Sequence, residues 1–143
     1  MLEAARAGNH SLLVAATGAG KTLAGFLREG LHTLYVSPLK ALAVDVQRNL
    51  LGPIDEMGLK IRVETRTGDT PSDRKARQRV RPPQILLTTP ESLSLLLSYP
   101  DSSLLFEKLS NVVIDEIHAF AREKRGDLLS LSLARLQALS PGL

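Results

Sequence analysis

Short apolar runs, rich in leucine and β-branched residues, recur along the chain at residues 12–16, 33–36, 61–65, 85–88 and 112–115. Each has the length of a strand, and each is separated from the next by a segment with helical character. Strands alternating with helices predict a parallel sheet. The clearest helices are expected over 39–51, ending at Gly52-Pro53, and over 127–139, ending at Ser140-Pro141-Gly142. A shorter one is expected over 72–79, opened by Thr70-Pro71 and closed by Pro82-Pro83, and another over 90–97. Right-handed crossovers then bring the C-terminal end of every strand to one edge of the sheet, where open α/β sheets bind ligands.

With 143 residues, 43% of them hydrophobic, and no repeat or linker dividing the chain, a single domain with a real core is expected. Aromatic residues make up only 3% and tryptophan is absent, so that core must come from Leu, Val, Ile and Ala. The net charge of +3 is too small to indicate a nucleic-acid partner by itself. Charge is unevenly spread, however: Arg62, Arg66, Arg74, Lys75, Arg77, Arg79 and Arg81 face only Glu64, Asp69 and Asp73. That run reads equally as a solvated helix face or as a nucleic-acid contact. The absence of cysteine excludes a disulfide framework and a thiolate metal site, and is compatible with a reducing cytoplasm. No apolar run approaches the ~20 residues that span a bilayer, so a soluble, cytoplasmic protein without a membrane partner is expected.

Chemistry enters at Leu12-Leu13-Val14-Ala15-Ala16-Thr17-Gly18-Ala19-Gly20-Lys21-Thr22, a strand, a glycine-containing turn and a helix start. The turn matches the Walker A pattern, with Ala15 in the first glycine position. Gly18 and Gly20 permit the backbone conformations that aim successive N–H groups of Thr17–Thr22 at a phosphate. Lys21 adds a charge for the β and γ phosphates, and Thr22 a hydroxyl for Mg2+ at a helix N-terminus. Such a site needs a second, acidic element, and Asn111-Val112-Val113-Ile114-Asp115-Glu116-Ile117-His118 supplies one. Its β-branched residues are expected to deliver Asp115 to the end of a buried strand as a metal partner, with Glu116 next to it to activate water. Together the two motifs read as a P-loop NTPase domain with ATP and Mg2+ as cofactors and Lys21, Asp115 and Glu116 as the catalytic set.

Asp115-Glu116-Ile117-His118 resembles the Walker B box of the superfamily 2 DExH-box helicases, and the resemblance extends over nearly the whole chain. It is strongest to the Lhr-type (large helicase-related) group, including the bacterial ligase-associated DExH-box helicases, through Tyr35-Val36-Ser37-Pro38-Leu39-Lys40-Ala41-Leu42-Ala43-Val44-Asp45-Val46. The resemblance implies a three-layer α/β, RecA-like domain with a mainly parallel sheet and helices on both faces. It also implies that Pro38, Leu39 and Lys40, then Thr67, Gly68 and Asp69, then Thr89, Pro90 and Glu91 contact the phosphate backbone of single-stranded or duplex DNA or RNA. Lysine, hydroxyls and helix-start N–H groups suit that sequence-independent role. Without the resemblance, Lys40 is a solvated helix-start lysine and Thr89-Pro90-Glu91 a capped N-terminus. His118 takes the position that couples nucleotide state to strand binding, or is merely a packed histidine.

The resemblance further implies a second RecA-like domain carrying an arginine finger, and an upstream glutamine element that reads adenine. Neither is in this chain, so residues 1–143 correspond to the first RecA-like domain, with flanking segments missing at both ends. Ala16 stands where proline is usual, and the short interval from Thr22 to Gly30 reads either as residues lost near Leu27-Arg28 or as a true short loop. The implied activity is the ATP-hydrolysing motor half of a DNA or RNA helicase, with a DNA-repair setting and ligase-associated partners following from the resemblance alone. A nucleic-acid-binding module with a vestigial nucleotide site is the alternative. A small-molecule P-loop kinase leaves the Lys40 and Thr89 loops unexplained.

Overall fold

The structure is a computed structural model that describes residues 30–120, 124–140 and 143. The expected strand over 12–16 and the turn from Thr17 through Gly18, Ala19, Gly20 and Lys21 to Thr22 lie outside these residues. Among the described residues, β1 (Thr33–Val36), β2 (Val63–Arg66), β3 (Ile85–Thr88) and β4 (Asn111–Ile114) form one parallel sheet in the order β2-β3-β1-β4. The central pair, β1 and β3, is buried along its whole length, which is why both read as continuous apolar runs.

The chain moves from β1 outward to β2, and from β3 past β1 to β4 on the other side. Right-handed crossovers in opposite directions put their helices on opposite faces. Accordingly α1 (Lys40–Glu56) covers one face, where Ala43, Leu50 and Ile54 meet Tyr35, Val63, Ile85 and Leu87. On the other face Leu34, Val36 and Leu86 pack against α3 (Pro90–Ser98), α4 (Ser102–Phe106) and α5 (Lys124–Leu139). Alternate residues of β1 and β3 thus serve two separate cores, and the layers expected from the sequence are present. No helix among the described residues is long and apolar enough to cross a membrane.

Several elements depart from expectation. Helix α1 runs through Gly52-Pro53 to Glu56 instead of stopping there. The proline forfeits one hydrogen bond, but Leu50 and Ile54 on either side of it are buried against the sheet and hold the last turn in place. Gly58, at φ +63°, is the true terminator: its N–H donates to Asp55 O at 3.0 Å and the Leu59 N–H to Ile54 O at 3.0 Å, a Schellman pair. Strand β2 starts at Val63 and not at residue 61, with the Arg62 N–H donating to the Gln84 side chain. Strand β4, expected to be buried, is only half-buried, in keeping with its pairing, among the described residues, to β1 alone. Helix α4 was not expected, and it supplies Leu105 and Phe106 to the core. The short helix α2 (Ser72–Val80) and helix α3 each run one residue past the expected end, and α5 starts three residues early.

The basic run resolves into structure. Helix α2 docks on β2 through a polar network in place of an apolar stripe: Gln78 Nε2 donates to Glu64 Oε2 at 3.0 Å, Arg77 pairs with the same oxygen at 2.7 Å, and Arg66 donates to Lys75 O at 2.8 Å. Glu64, Arg66 and Gln78 are all buried, so each must find partners, and does. Arg79 forks onto Asp101 at 2.7 and 2.8 Å and stacks over Tyr99, 4.0 Å from the ring centre. Arg62 donates to the Pro82 carbonyl at 2.8 Å. Much of the sequence-level charge excess is therefore committed to holding the edge strand and its helix.

Phe106 is 0% exposed and joins α4 to the larger core. Phe106→Ala is expected to cost about 3–5 kcal/mol, a large part of a stability on the order of 5–15 kcal/mol. Urea unfolding should show a lowered midpoint with an unchanged slope.

Candidate functional site

Register determines which residues meet at the sheet edge. Val36 pairs with Thr88 and with Ile114, and Arg66 pairs with Thr88, so the four strands end in step. The next residues, Thr67, Thr89, Ser37 and Asp115, therefore form one row in that order. The row is locked by main-chain bonds beyond the strand ends, from Ser37 N–H to Thr88 O and from Asp115 N–H to Val36 O, both 2.9 Å. At roughly 4.8 Å between strands, Ser37 lies about 5 Å from Asp115 and Thr67 about 14 Å from it. The three candidate backbone-contact loops are thus contiguous, and the carboxylate box adjoins the loop that opens α1.

At the box, Asp115 Oδ1 accepts from the Glu116 N–H at 3.0 Å. Glu116 has φ 49° and ψ 45°, the one non-glycine residue at positive φ among the described residues. That left-handed conformation turns the chain into a 3-10 turn over Ile117–Ala119 and costs on the order of 1–2 kcal/mol for a residue with a Cβ. Glu116 Oε2 lies 3.0 Å from His118 Nε2, and the His118 side chain is 80% exposed, so His118 is not a packed histidine. Tyr35 is buried beneath the box. Burial first, and then the neighbouring carboxylates of Asp115 and Glu116, push its phenol above its ordinary pKa, so that it stays neutral. Sequence reading missed Tyr35, although alternation along β1 and the parallel register put it on the face of Val113 and Asp115.

In the candidate loops, Lys40 Nζ lies 2.8 Å from both carboxylate oxygens of Asp69, joining two segments that are 29 residues apart in sequence. Both side chains are more than half exposed, so the pair is open to exchange with another anion. Lys75 Nζ donates to the Gly68 carbonyl at 2.9 Å, and the Thr70 hydroxyl accepts from the Thr67 N–H at 2.9 Å, which shapes the 67–70 turn. Leu39 is exposed, while Thr89 and Pro90 are buried. Thr89 caps α3, its hydroxyl accepting from the Ser92 N–H at 3.5 Å, with Pro90 in the first turn. A groove of about 520 Å³ lined by Lys40, Arg48, Thr67, Asp69 and Arg74 runs between α1 and the start of α2.

Arg125 is the second residue that sequence reading missed. Its Nε donates to Glu91 Oε1 and its Nη2 to the Pro38 carbonyl, each at 2.6 Å. The expected helix began at residue 127, so only the structure places Arg125 in its first turn, where the macrodipole disfavours a cation.

As for a metal, no group of three or more His, Asp or Glu among the described residues is arranged to hold one. Mg2+ needs no such cage, since one or two carboxylates, a hydroxyl, water and substrate phosphates suffice, and Asp115 at the strand end fits that sparse donor set.

Comparison with known proteins follows this geometry. The family model described as DEAD/DEAH box helicase matches residues 1–142. The Lhr helicase/probable uracil glycosylase of Mycolicibacterium smegmatis is 44% identical over 92% of this chain and 10% of its own length. The ATP-dependent helicase Lhr-Core protein 2 of Thermococcus barophilus is 42% identical over 93% of this chain and 18% of its own. Among solved structures, that of the Mycobacterium smegmatis helicase Lhr bound to ssDNA and AMP-PNP superimposes with a TM-score of 0.77 at 44% identity, covering 96% of this chain and 20% of that one. The chain thus spans a tenth to a fifth of these relatives' length. The match to the M. smegmatis protein runs over 155 positions, more than the 143 residues here, so that relative carries residues with no counterpart in this chain. A parallel sheet layered between helices, a carboxylate box at its C-terminal edge and a family model spanning nearly every residue agree: this chain belongs to the DEAD/DEAH box helicase family, and its relatives within it include Lhr helicases.

Proposed function

We propose that this chain is the first RecA-like motor domain of an Lhr-type, ATP-dependent helicase, spanning residues 1–143. The observation that carries this reading is the row at the sheet edge, where the Asp115-Glu116 box adjoins the Ser37–Lys40 loop and, beyond it, the Thr89 and Thr67 loops. One ligand at the box and another along the loops would lie within one strand spacing of each other. The relatives' ATP-dependent naming and the ssDNA and AMP-PNP in the M. smegmatis Lhr structure support the same pair of ligands here.

In this reading the backbone of Thr17, Gly18, Ala19 and Gly20, together with Lys21, binds the phosphates of ATP. Thr22 and Asp115 hold Mg2+, which neutralises developing phosphate charge when bound. Tyr35 orients Asp115 from below. Glu116 accepts a proton from, or orients, the attacking water, and His118 tethers that carboxylate at the exposed side. Lys40, the Thr67-Gly68-Asp69 turn and the N-terminus of α3 at Thr89, Pro90 and Glu91 carry the backbone of a DNA or RNA strand, with phosphate displacing Asp69 from Lys40. Unwinding requires a second RecA-like domain, whose arginine finger contributes ~10³–10⁵ in rate in related enzymes, so residues 1–143 tested by themselves should hydrolyse ATP slowly. Coupling to ligase-associated repair proteins is part of the same reading and rests on the resemblance alone.

Titration of a fluorescent ATP analogue with Mg2+ should give binding to the parent chain and none to Lys21→Ala. If the two chains bind alike, the Walker assignment is wrong; if strand affinity ignores both Lys21→Ala and ATP, the site is vestigial. Lys40→Ala should weaken binding of single-stranded oligonucleotides regardless of sequence and reduce the slope of log affinity against log salt by about 0.7, one phosphate contact. An unaltered slope removes Lys40 from the track. Glu116→Gly should abolish residual turnover yet leave the fold unchanged or up to about 1 kcal/mol more stable, because glycine relieves the left-handed backbone. Glu116→Gln should lose turnover without that gain, a contrast that thermal unfolding reads directly.

A further inference from the structure

Arg125 sits where helix electrostatics oppose it, in the first turn of α5, and its two bonds offset that cost. They reach 34 and 87 residues back along the chain, to Glu91 in the first turn of α3 and to the Pro38 carbonyl just before α1. These acceptors belong to two of the three loops in the edge row. Glu91 is held below the usual carboxylate range even though its partial burial pushes the other way, because Arg125, its own N–H and the Thr89 hydroxyl all favour the charged form. One planar guanidinium thus pins both helix starts to a third element.

That third element is tied to the carboxylate box. Phe120 closes the 3-10 turn that follows Glu116, its N–H donating to Ile117 O at 3.1 Å, and its ring is buried in the larger core. Its carbonyl lies directly against Gly126: a Cβ at 126 would collide with it, so α5 begins pressed on the end of the box turn. Phe120 thus joins the turn after Asp115-Glu116 to the start of α5, the turn that carries Arg125.

We infer that Arg125 is a positioning residue that links the carboxylate box to the strand track, holding the Pro38–Lys40 and Thr89–Glu91 loops in a geometry set by the box turn. The inference rests on the function proposed above and adds to it a physical route between the two sites. Loss of the clamp leaves both sites present but uncouples them.

The test compares the parent chain with Arg125→Ala and with Arg125→Lys, which retains charge but cannot fork onto two acceptors. Affinity for a fluorescein-labelled single-stranded oligonucleotide is measured with and without AMP-PNP and Mg2+, alongside nucleotide affinity without the strand. The expected result is nucleotide affinity unchanged by either substitution, while the effect of nucleotide on strand affinity falls by roughly 2- to 30-fold, as for other coupling residues. Linkage requires the effect of strand on nucleotide affinity to fall by the same factor. Hydrogen exchange adds a readout that needs no ligand: the Ala43 and Leu93 amides, which donate to Leu39 O and Thr89 O in the first turns of α1 and α3, should exchange faster, with β1 and β3 unchanged. Faster exchange with coupling intact would make Arg125 a structural strut and overturn the inference, as would full coupling with exchange unaltered. If the parent chain itself binds neither ligand, the proposed function falls and the coupling role with it, an outcome distinct from failure of the clamp alone.

Discussion

The arrangement of the edge depends on the hydrogen-bond ladder of β1. This central strand pairs with β3 on one side and β4 on the other, and both ladders continue one residue past the strands, through Ser37 N–H to Thr88 O and Asp115 N–H to Val36 O. In a parallel sheet a slip of one residue would reverse the facing of every side chain beyond it. Here it would move Tyr35 from under Asp115 and strand Leu34 and Val36 in the wrong core. The apolar alternation along β1, with Leu34 and Val36 for one layer and Tyr35 for the other, is therefore what holds the carboxylate box beside the helix-start loops.

Burial and exposure divide the charged residues into two populations. Glu64, Arg66 and Gln78 are buried and satisfy one another, and Arg77 and Arg79 complete that network against Glu64 and Asp101. These residues dock α2 where its sequence offers almost no apolar surface, and breaking one partner would leave another buried and unpaired. Lys40 and Asp69, by contrast, face solvent at the edge row. An exposed pair contributes little to stability and exchanges readily, which suits a cation that must trade a carboxylate for a phosphate. Local charge density alone did not separate these roles; accessibility did.

Strain and awkward electrostatics collect on the short path after β4. Glu116 occupies a left-handed conformation, Gly126 is crowded by the Phe120 carbonyl, and Arg125 stands at the disfavoured end of a helix. Each local cost persists only because surrounding packing over-determines it. Their concentration within a dozen residues of the carboxylate box marks this segment as one shaped by function as well as by folding.

Much was legible in the linear chain because it depends on near neighbours or on period. Residue spacing determined the alternation of strands and helices, the parallel sheet and the candidates Asp115 and Glu116, since strand ends and helix starts are local features, whereas the layers on both faces and the candidates Lys40, Thr67 and Thr89 followed from the resemblance that the motifs carry. Where helices ended was less legible: Gly52-Pro53 looked like a stop, but burial of Ile54 carried α1 onward to Gly58, an energy that exists only once the sheet is present. The strand order, the engagement of the basic run in docking α2, the seat of Tyr35 under Asp115 and the reach of Arg125 to Glu91 and Pro38 were decided by tertiary structure alone. Each joins residues tens of positions apart, and no local pattern encodes a contact that forms only when separate elements are brought together.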